Sequence, residues 1–383
     1  MTPFRKKAVL LLTVIVLWAG GCSGEKSSVK PEFKVGVVAV TSGELFRKGA
    51  YVITAARYAA DKVNAAGGVD VRGDSYQVKL YPADSGGTAD TASKVAARLI
   101  EKDGVSAIVG GTSSEVALAV AQVCEAHRVP FITPVAGTGK LTSLKYSFRV
   151  SYINKVQGKA LAKFAVKHLG SEPVGILYAA GSPYSAELAR YFKKAYERKG
   201  GSISAYEKYS AGDREYYRQL QAIIDSGAKI LFLPNDTKKI QLQVAQARKM
   251  GFKGTLLGGD LWDPVDLERN SLFVNSYYAD HWIPGLPIEG EAEFERDYRK
   301  QTGGEPTEMA ALTYDAMMSL FAAVEEAGSI EPGRIHTGLV DMPPFKGVTG
   351  TFDYNNNGDP DKDVIISTIR DGHSVVKDII PVD

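Results

Sequence analysis

Gly104–Thr142, GVSAIVGGTSSEVALAVAQVCEAHRVPFITPVAGTGKLT, is the stretch whose reading decides the fold. Val105–Val109 is a short, mostly apolar run, long enough for one buried strand. Gly110-Gly111 turns the chain, and Thr112-Ser113-Ser114-Glu115 has the hydroxyl-to-acid spacing of a helix start. Val116, Ala119, Val120 and Val123 recur at helical intervals, Arg128-Val129-Pro130 stops the helix, and Phe131-Ile132 opens a second strand. Strand, helix and strand in this order build a parallel sheet covered by helices. The two strand ends set small hydroxyl-bearing loops side by side, one of them at a helix N-terminus. Open α/β sheets bind ligands at that edge, where free N–H groups and the helix dipole suit a carboxylate. Ser113 and Ser114 are therefore candidates for two roles, capping the helix and holding an anion.

The same alternation runs outward in both directions. Phe33–Val40 is a β-branched strand, Gly49–Ala65 a helix, Tyr76–Tyr81 a strand and Thr88–Asp103 an amphipathic helix. Tyr146–Tyr152 reads as a passage into a second lobe. Beyond it, strands at Val174–Tyr178, Ser202–Tyr209, Lys229–Leu233 and Thr255–Gly259 alternate with helices. Near Ser276–Ile283 the chain crosses back, Met309–Gly328 is a helix of the first lobe, and the tail from Gly347 reads as hairpin strands. The expected fold class is α/β, two doubly wound parallel-sheet lobes joined by three crossings. Expected boundaries are 33–150 plus 282–345 for lobe one and 151–281 plus 346–383 for lobe two.

Residues 1–22 are a separate object. Arg5-Lys6-Lys7 precedes the apolar run Ala8–Leu17, too short to span a bilayer comfortably, and Trp18-Ala19-Gly20-Gly21 leads into Cys22. Small residues before a cysteine resemble a bacterial lipoprotein signal, so Cys22 is the expected lipidation site and residues 23–32 a flexible tether. Export to the periplasmic face of a membrane follows. Cys124, the other cysteine, falls in phase with Val120 on the helix and reads as a buried small hydrophobe.

Composition narrows the function. Of 383 residues, 46 are Lys or Arg and 44 Asp or Glu, for a net charge of +2 and no basic block interleaved with aromatics, so nucleic acid is not an expected partner. No G-x-S-x-G, H-E-x-x-H or P-loop string occurs, and the five histidines lie far apart, so neither catalysis nor a cofactor or metal is expected. Asp353–Asp363, DYNNNGDPDKD, has part of a calcium-loop spacing, but Val364 stands at the twelfth place where a glutamate belongs; a hairpin turn is the better reading. Asp260, directly after a strand and Gly258-Gly259, lies at the ligand-bearing edge of lobe two and is a candidate for a ligand cation.

These residues together resemble the type I periplasmic binding proteins of the leucine/isoleucine/valine-binding kind. The carriers are KVGVVAVTSGEL (34–45), AADKVNAAGGV (59–69), GGTSSEVALAVAQVCEAHRVPFITP (110–134), YINKVQGKALAKFAV (152–166), VAQARKMGF (244–252) with LLGGDLWD (256–263), ALTYDA (311–316) and FKGVTGTFDYNNNGD (345–359). The resemblance implies two lobes closing on a ligand and delivery to an ABC permease in the inner membrane, with the protein a lipid-anchored monomer. It implies that Ser113 or Ser114 and the loop Val135, Ala136, Gly137 and Thr138 receive an amino acid's carboxylate. Asp260 then holds the ammonium, and Tyr184 closes over the ligand. The positions that shape the pocket in the family fall here on Lys48, Asp236 and Met309, with Phe46 as a further wall. That pocket is more polar than one for leucine, so a branched or a small polar amino acid fits. The alternatives are a ligand sensor of the same fold, and an exported enzyme, against which the missing motifs weigh.

Overall fold

The computed structural model describes residues 30–43, 46–268, 270–355 and 357–381; the leader and Cys22 lie outside the described residues. The chain begins with β1 (Glu32–Ala39), α1 (Phe46–Ala65), β2 (Val69–Val71), β3 (Asp74–Asp84), α2 (Ala89–Glu101), β4 (Ala107–Gly110), α3 (Ser114–His127), β5 (Phe131–Thr133) and β6 (Ser147–Arg149). These strands form one sheet in the order β2-β3-β1-β4-β5-β6, parallel except for the β2 edge. Ile108 and Val109 pair with Phe131 and Ile132, so the two loops after β4 and β5 are neighbours. Ser113 caps α3 by accepting the Val116 N–H, and Arg128 ends it in a left-handed conformation. Gly110 is required here. Its φ is +136°, and a Cβ would sit 2.1 Å from the Val38 carbonyl oxygen.

The second sheet collects α4 (Asn154–Leu169), β7 (Val174–Ala179), α5 (Pro183–Arg198), β8 (Ile203–Tyr209), α6 (Tyr217–Asp225), β9 (Ile230–Leu233), α7 (Thr237–Lys249), β10 (Thr255–Gly258), α8 (Pro264–Leu267) and β11 (Ser276–Asp280). Then α9 (Glu291–Thr302), α10 (Glu308–Ala327) and α11 (Pro332–Asp341) return to the first sheet, followed by β12 (Phe345–Gly347), β13 (Gly350–Phe352), β14 (Val364–Arg370) and β15 (His373–Ile380). The second sheet runs β15-β14-β11-β10-β9-β7-β8, with the β14–β15 hairpin added antiparallel at its edge. The fold is thus two doubly wound α/β lobes.

Helix α10 is apolar nearly all round because it lies against β2, β4, β5, α1 and α11 of the first lobe. Cys124 is fully buried among Val116, Val120 and Phe131, and burial pushes its thiol far above the ordinary range. The β12–β13 hairpin departs from the expected boundary. Val348, Phe352 and Tyr354 belong to the same apolar cluster as Phe33 and Val37, so residues 346–354 pack on lobe one rather than lobe two. In the Asp353–Asp363 segment, Asn355 closes a turn by accepting the Asn357 and Asp359 N–H groups, and Asp359 pairs with Arg149 at 2.7 Å.

Candidate ligand-binding site

Two glycines at the end of β10, Gly258 and Gly259, build the site in lobe two. A Cβ on Gly258 would lie 2.2 Å from the Trp262 ring, and one on Gly259 2.2 Å from the Tyr184 hydroxyl. Their absence lets Trp262 and Tyr184 close in around the next residue, Asp260, which is 7% exposed. Tyr184 donates to Asp260 Oδ1 at 2.6 Å. His281, on the crossing after β11, reaches Asp260 Oδ2 through Nε2 at 3.1 Å. Its ring lies on Tyr152 of the other crossing, 3.7 Å between centroids.

The electrostatics set the charge states. Burial alone would raise the Asp260 pKa, but the hydrogen bonds from His281 and Tyr184 outweigh it and hold the carboxyl below the usual range. Burial depresses His281 despite the pull of Asp260. A neutral ring with its proton on Nε2 fits that bond, which leaves Nδ1 as a buried acceptor without a partner among the described residues. Asp260 is therefore a buried anion without a cation beside it. Behind it, burial pushes Asp280 up to about 8 even though the His281 and Trp282 N–H groups and the Ser367 hydroxyl bond to it.

A cavity of about 240 Å³ opens at this point between the lobes. Lys48 and Tyr51 of α1, Val135, the crossing from His281 to Pro284, and Glu305–Met309 at the start of α10 line one side; Asp260–Leu261, Asp263–Pro264, Glu268 and Ser374 line the other. Of the expected site residues, Lys48, Val135, Asp260 and Met309 line the cavity, and Tyr184 adjoins it through Asp260. Lys48 makes no ion pair among the described residues and faces the cavity; the Ser114 hydroxyl makes no hydrogen bond among them, but Ser114 is buried and does not line the cavity.

The remaining expected residues do not line this cavity. Phe46 is 59% exposed, and Asp236 caps α7 by accepting the Lys239 N–H, so neither forms a pocket wall. Ser113 is exposed at its cap. The loop after Pro134 is drawn the other way. Arg149, 2% exposed, bonds the Ala136 and Thr138 carbonyls at 2.9 Å each, and the Gly137 carbonyl accepts the Asn154 N–H. Thr138 Oγ1 and the Gly139 N–H donate to Glu187 of α5 in lobe two, at 2.9 and 3.1 Å, and Asn154 Nδ2 adds a third bond at 3.0 Å.

Glu187 thus ties the lobes together. Glu187→Ala is expected to loosen the closed arrangement, because charged hydrogen bonds contribute on the order of 1.5–3 kcal/mol each and water recovers part of that on opening. Ligand affinity should fall by about tenfold and the solution-scattering radius should grow; no change in either would remove Glu187 from closure.

His281 and Glu308 were not legible as site residues. Glu308, the first residue of α10, accepts the His281 backbone N–H at 2.9 Å, and burial with the Asp280 and Asp260 charges holds its carboxyl well above the usual range. The only local signal for it was an acid one residue after the Thr307 cap.

The comparisons agree with this architecture. A family model described as periplasmic binding protein matches residues 32–374. The Leu/Ile/Val-binding protein homolog 3 of Brucella melitensis is 25% identical over 346 residues, 88% of this chain and 90% of that protein. Among solved structures, the leucine-binding protein LivK of Thermotoga maritima superposes with a TM-score of 0.83 at 27% identity, covering 91% of this chain and 98% of that one. The branched-chain amino acid transporter substrate-binding protein LivJ of Streptococcus pneumoniae, in complex with isoleucine, gives 0.80 at 25% identity, over 91% and 99%. With the family's pattern running through both lobes and the site at their shared edge, the chain belongs to the type I periplasmic binding protein family.

Proposed function

We propose that this chain is the exported solute-binding component of an ABC importer and holds an amino acid, branched or small and polar, between its two lobes. The observation that carries the reading is Asp260, a buried carboxylate with no Lys or Arg at ion-pair distance among the described residues, at the strand edge of an interlobe cavity. A buried anion is costly until a ligand cation joins it, and an amino acid supplies one. Asp260 receives the ammonium; Ser114, Lys48 and the backbone of Val135–Thr138 receive the carboxylate as the lobes adjust; Tyr184 orients Asp260; Met309 supports the side chain. The relatives' names, all binding proteins, favour binding over catalysis. At about 240 Å³ the cavity lies just below the range of small-molecule pockets, about 300–1,000 Å³, as suits a small metabolite. The lobes in this reading are 33–150 plus 282–354 and 151–281 plus 355–383.

The same reading places the protein on the periplasmic face of a membrane, anchored through a lipidated Cys22, as a monomer facing a permease. Incorporation of a labelled fatty acid that is lost in Cys22→Ser tests the anchor. A thermal-shift screen of the twenty amino acids and their amides tests the binding function. One or a few should raise the melting temperature saturably, and a flat response to all of them would defeat the proposal.

A further inference from the structure

Asp260 faces the cavity from lobe two, and Glu308 faces it from lobe one. His281 joins them, its ring to Asp260 Oδ2 at 3.1 Å and its backbone N–H to Glu308 Oε1 at 2.9 Å. The other acids along the cavity have partners. Asp263 lies 3.9 Å from Arg47, Glu268 accepts the Ser374 N–H at 2.8 Å, and Glu305 pairs with Arg299 at 2.5 Å. Asp260 and Glu308 are the two cavity carboxylates with no Lys or Arg at ion-pair distance among the described residues, Lys362 acting on Glu308 only from behind. The same wall holds a second sign of a missing partner, the unbonded Nδ1 of His281, a residue 2% exposed.

We propose that Asp260 and Glu308, held together by His281, form a two-carboxylate seat for one ligand ammonium, so that a primary amine is obligatory in any ligand of this cavity. The proposal rests on the amino-acid reading above and adds to it a second recognition residue and a rule of selection. An ammonium has three N–H donors, enough for one oxygen of each carboxylate and a third acceptor. Two carboxylates a His side chain apart cannot both stay ionised in an empty, buried site. Glu308 keeps its proton there, because burial and the charges of Asp280, Asp260 and Asp263 all act against its ionisation. When the ligand cation arrives, Glu308 ionises toward it and the proton leaves to solvent, so charge balances.

Binding that releases a proton strengthens as pH rises. The groups facing Glu308 are Asp260, Asp263, Asp280 and His281, with Tyr152, Tyr278 and the buried Lys362 behind them. Asp280 titrates together with Glu308, so Asp280→Asn is titrated beside Glu308→Gln. A pH slope lost in the Glu308 variant and kept in the Asp280 variant belongs to Glu308, and the reverse overturns the seat.

The test is calorimetric titration of the full chain between about pH 6 and about pH 8 with L-leucine beside 2-hydroxyisocaproate, L-alanine beside L-lactate, and L-glutamate beside glutarate. The amine of a pair should bind, its counterpart should not, and the wild-type Kd should fall with rising pH. Glu308→Gln should bind about tenfold or more weakly at the upper pH with a flat profile, and Glu308→Asp should restore the slope. A Glu308→Gln protein with wild-type Kd and slope, or a deaminated counterpart binding equally well, overturns the seat. If the amines bind and depend on Asp260 but not on Glu308, the seat alone fails. If no amine binds the wild type, the amino-acid reading fails and the seat with it.

Discussion

Asp260→Ala is expected to raise the Kd for an amino acid by on the order of a hundredfold or more. Truncating one partner of a buried, hydrogen-bonded charge pair costs about 2–5 kcal/mol, and each 1.4 kcal/mol is about a factor of ten. In the bound protein the ligand ammonium would sit beside the apolar side chains of Leu261, Trp282 and Ile283, none of which replaces the lost carboxylate. The alanine variant also strands the Tyr184 hydroxyl and the His281 Nε2–H, so some loss of folding stability comes with it. Asp260→Asn separates the two effects. The amide still accepts from Tyr184 and fills the same volume, so the melting temperature should stay within a few degrees while affinity falls. Titration of the screened amino acid against wild type and both variants decides it, and unchanged affinity in Asp260→Asn would exclude an ammonium at this carboxylate.

The largest effect on stability is expected from Arg149→Ala. Arg149 ends β6, buried, with Asp359 at 2.7 Å on the third crossing and two loop carbonyls on its Nη1. Removing it leaves Asp359, itself 5% exposed, as a buried charge held among the described residues by the Thr142 hydroxyl, and takes the Arg149 bond from the Ala136 and Thr138 carbonyls. Breaking a buried pair from one side costs about 3–5 kcal/mol. At the few degrees per kcal/mol usual for chains of this size, the melting temperature should drop by roughly 5–10 °C. The double variant Arg149→Met with Asp359→Leu removes both charges and should regain most of the loss. A drop under about two degrees in the single variant would mean that Arg149 and Asp359 are not a buried pair in solution.

Much of the fold was legible because its signals are local. The run from Gly104 to Thr142 contains a strand, a cap, a periodic apolar face and a stop, and each acts over a few residues. Gly258-Gly259-Asp260 was legible as a strand end bearing a carboxylate, although the reason for the glycines, the close approach of Trp262 and Tyr184, was not. Asp236, carried over from a family position, and Phe46, chosen for its nearness to Lys48, do not line the cavity, for a physical reason. A matched position locates a backbone, whereas its side chain points where local competition sends it: to a helix N-terminus for Asp236 and to solvent for Phe46. Gly347–Asp353 reads as one strand of the tail, whereas the structure turns it at Val348-Thr349 between β12 and β13 and packs it on lobe one, since alternation shows that one face is covered without showing by what.

The amino-acid sequence by itself determined two α/β lobes, their order along the chain, and a strand-end aspartate offered to a ligand. Periodicity, caps and turn residues are properties of neighbours in the chain, and they suffice for that much. Only the tertiary structure decided that Glu187 meets the loop at Thr138, that Arg149 meets Asp359, and that His281 joins Asp260 to Glu308. These partners lie on different elements and come together only when the sheets are assembled and water is excluded, which is when a carboxylate's charge state and its need for a cation are set.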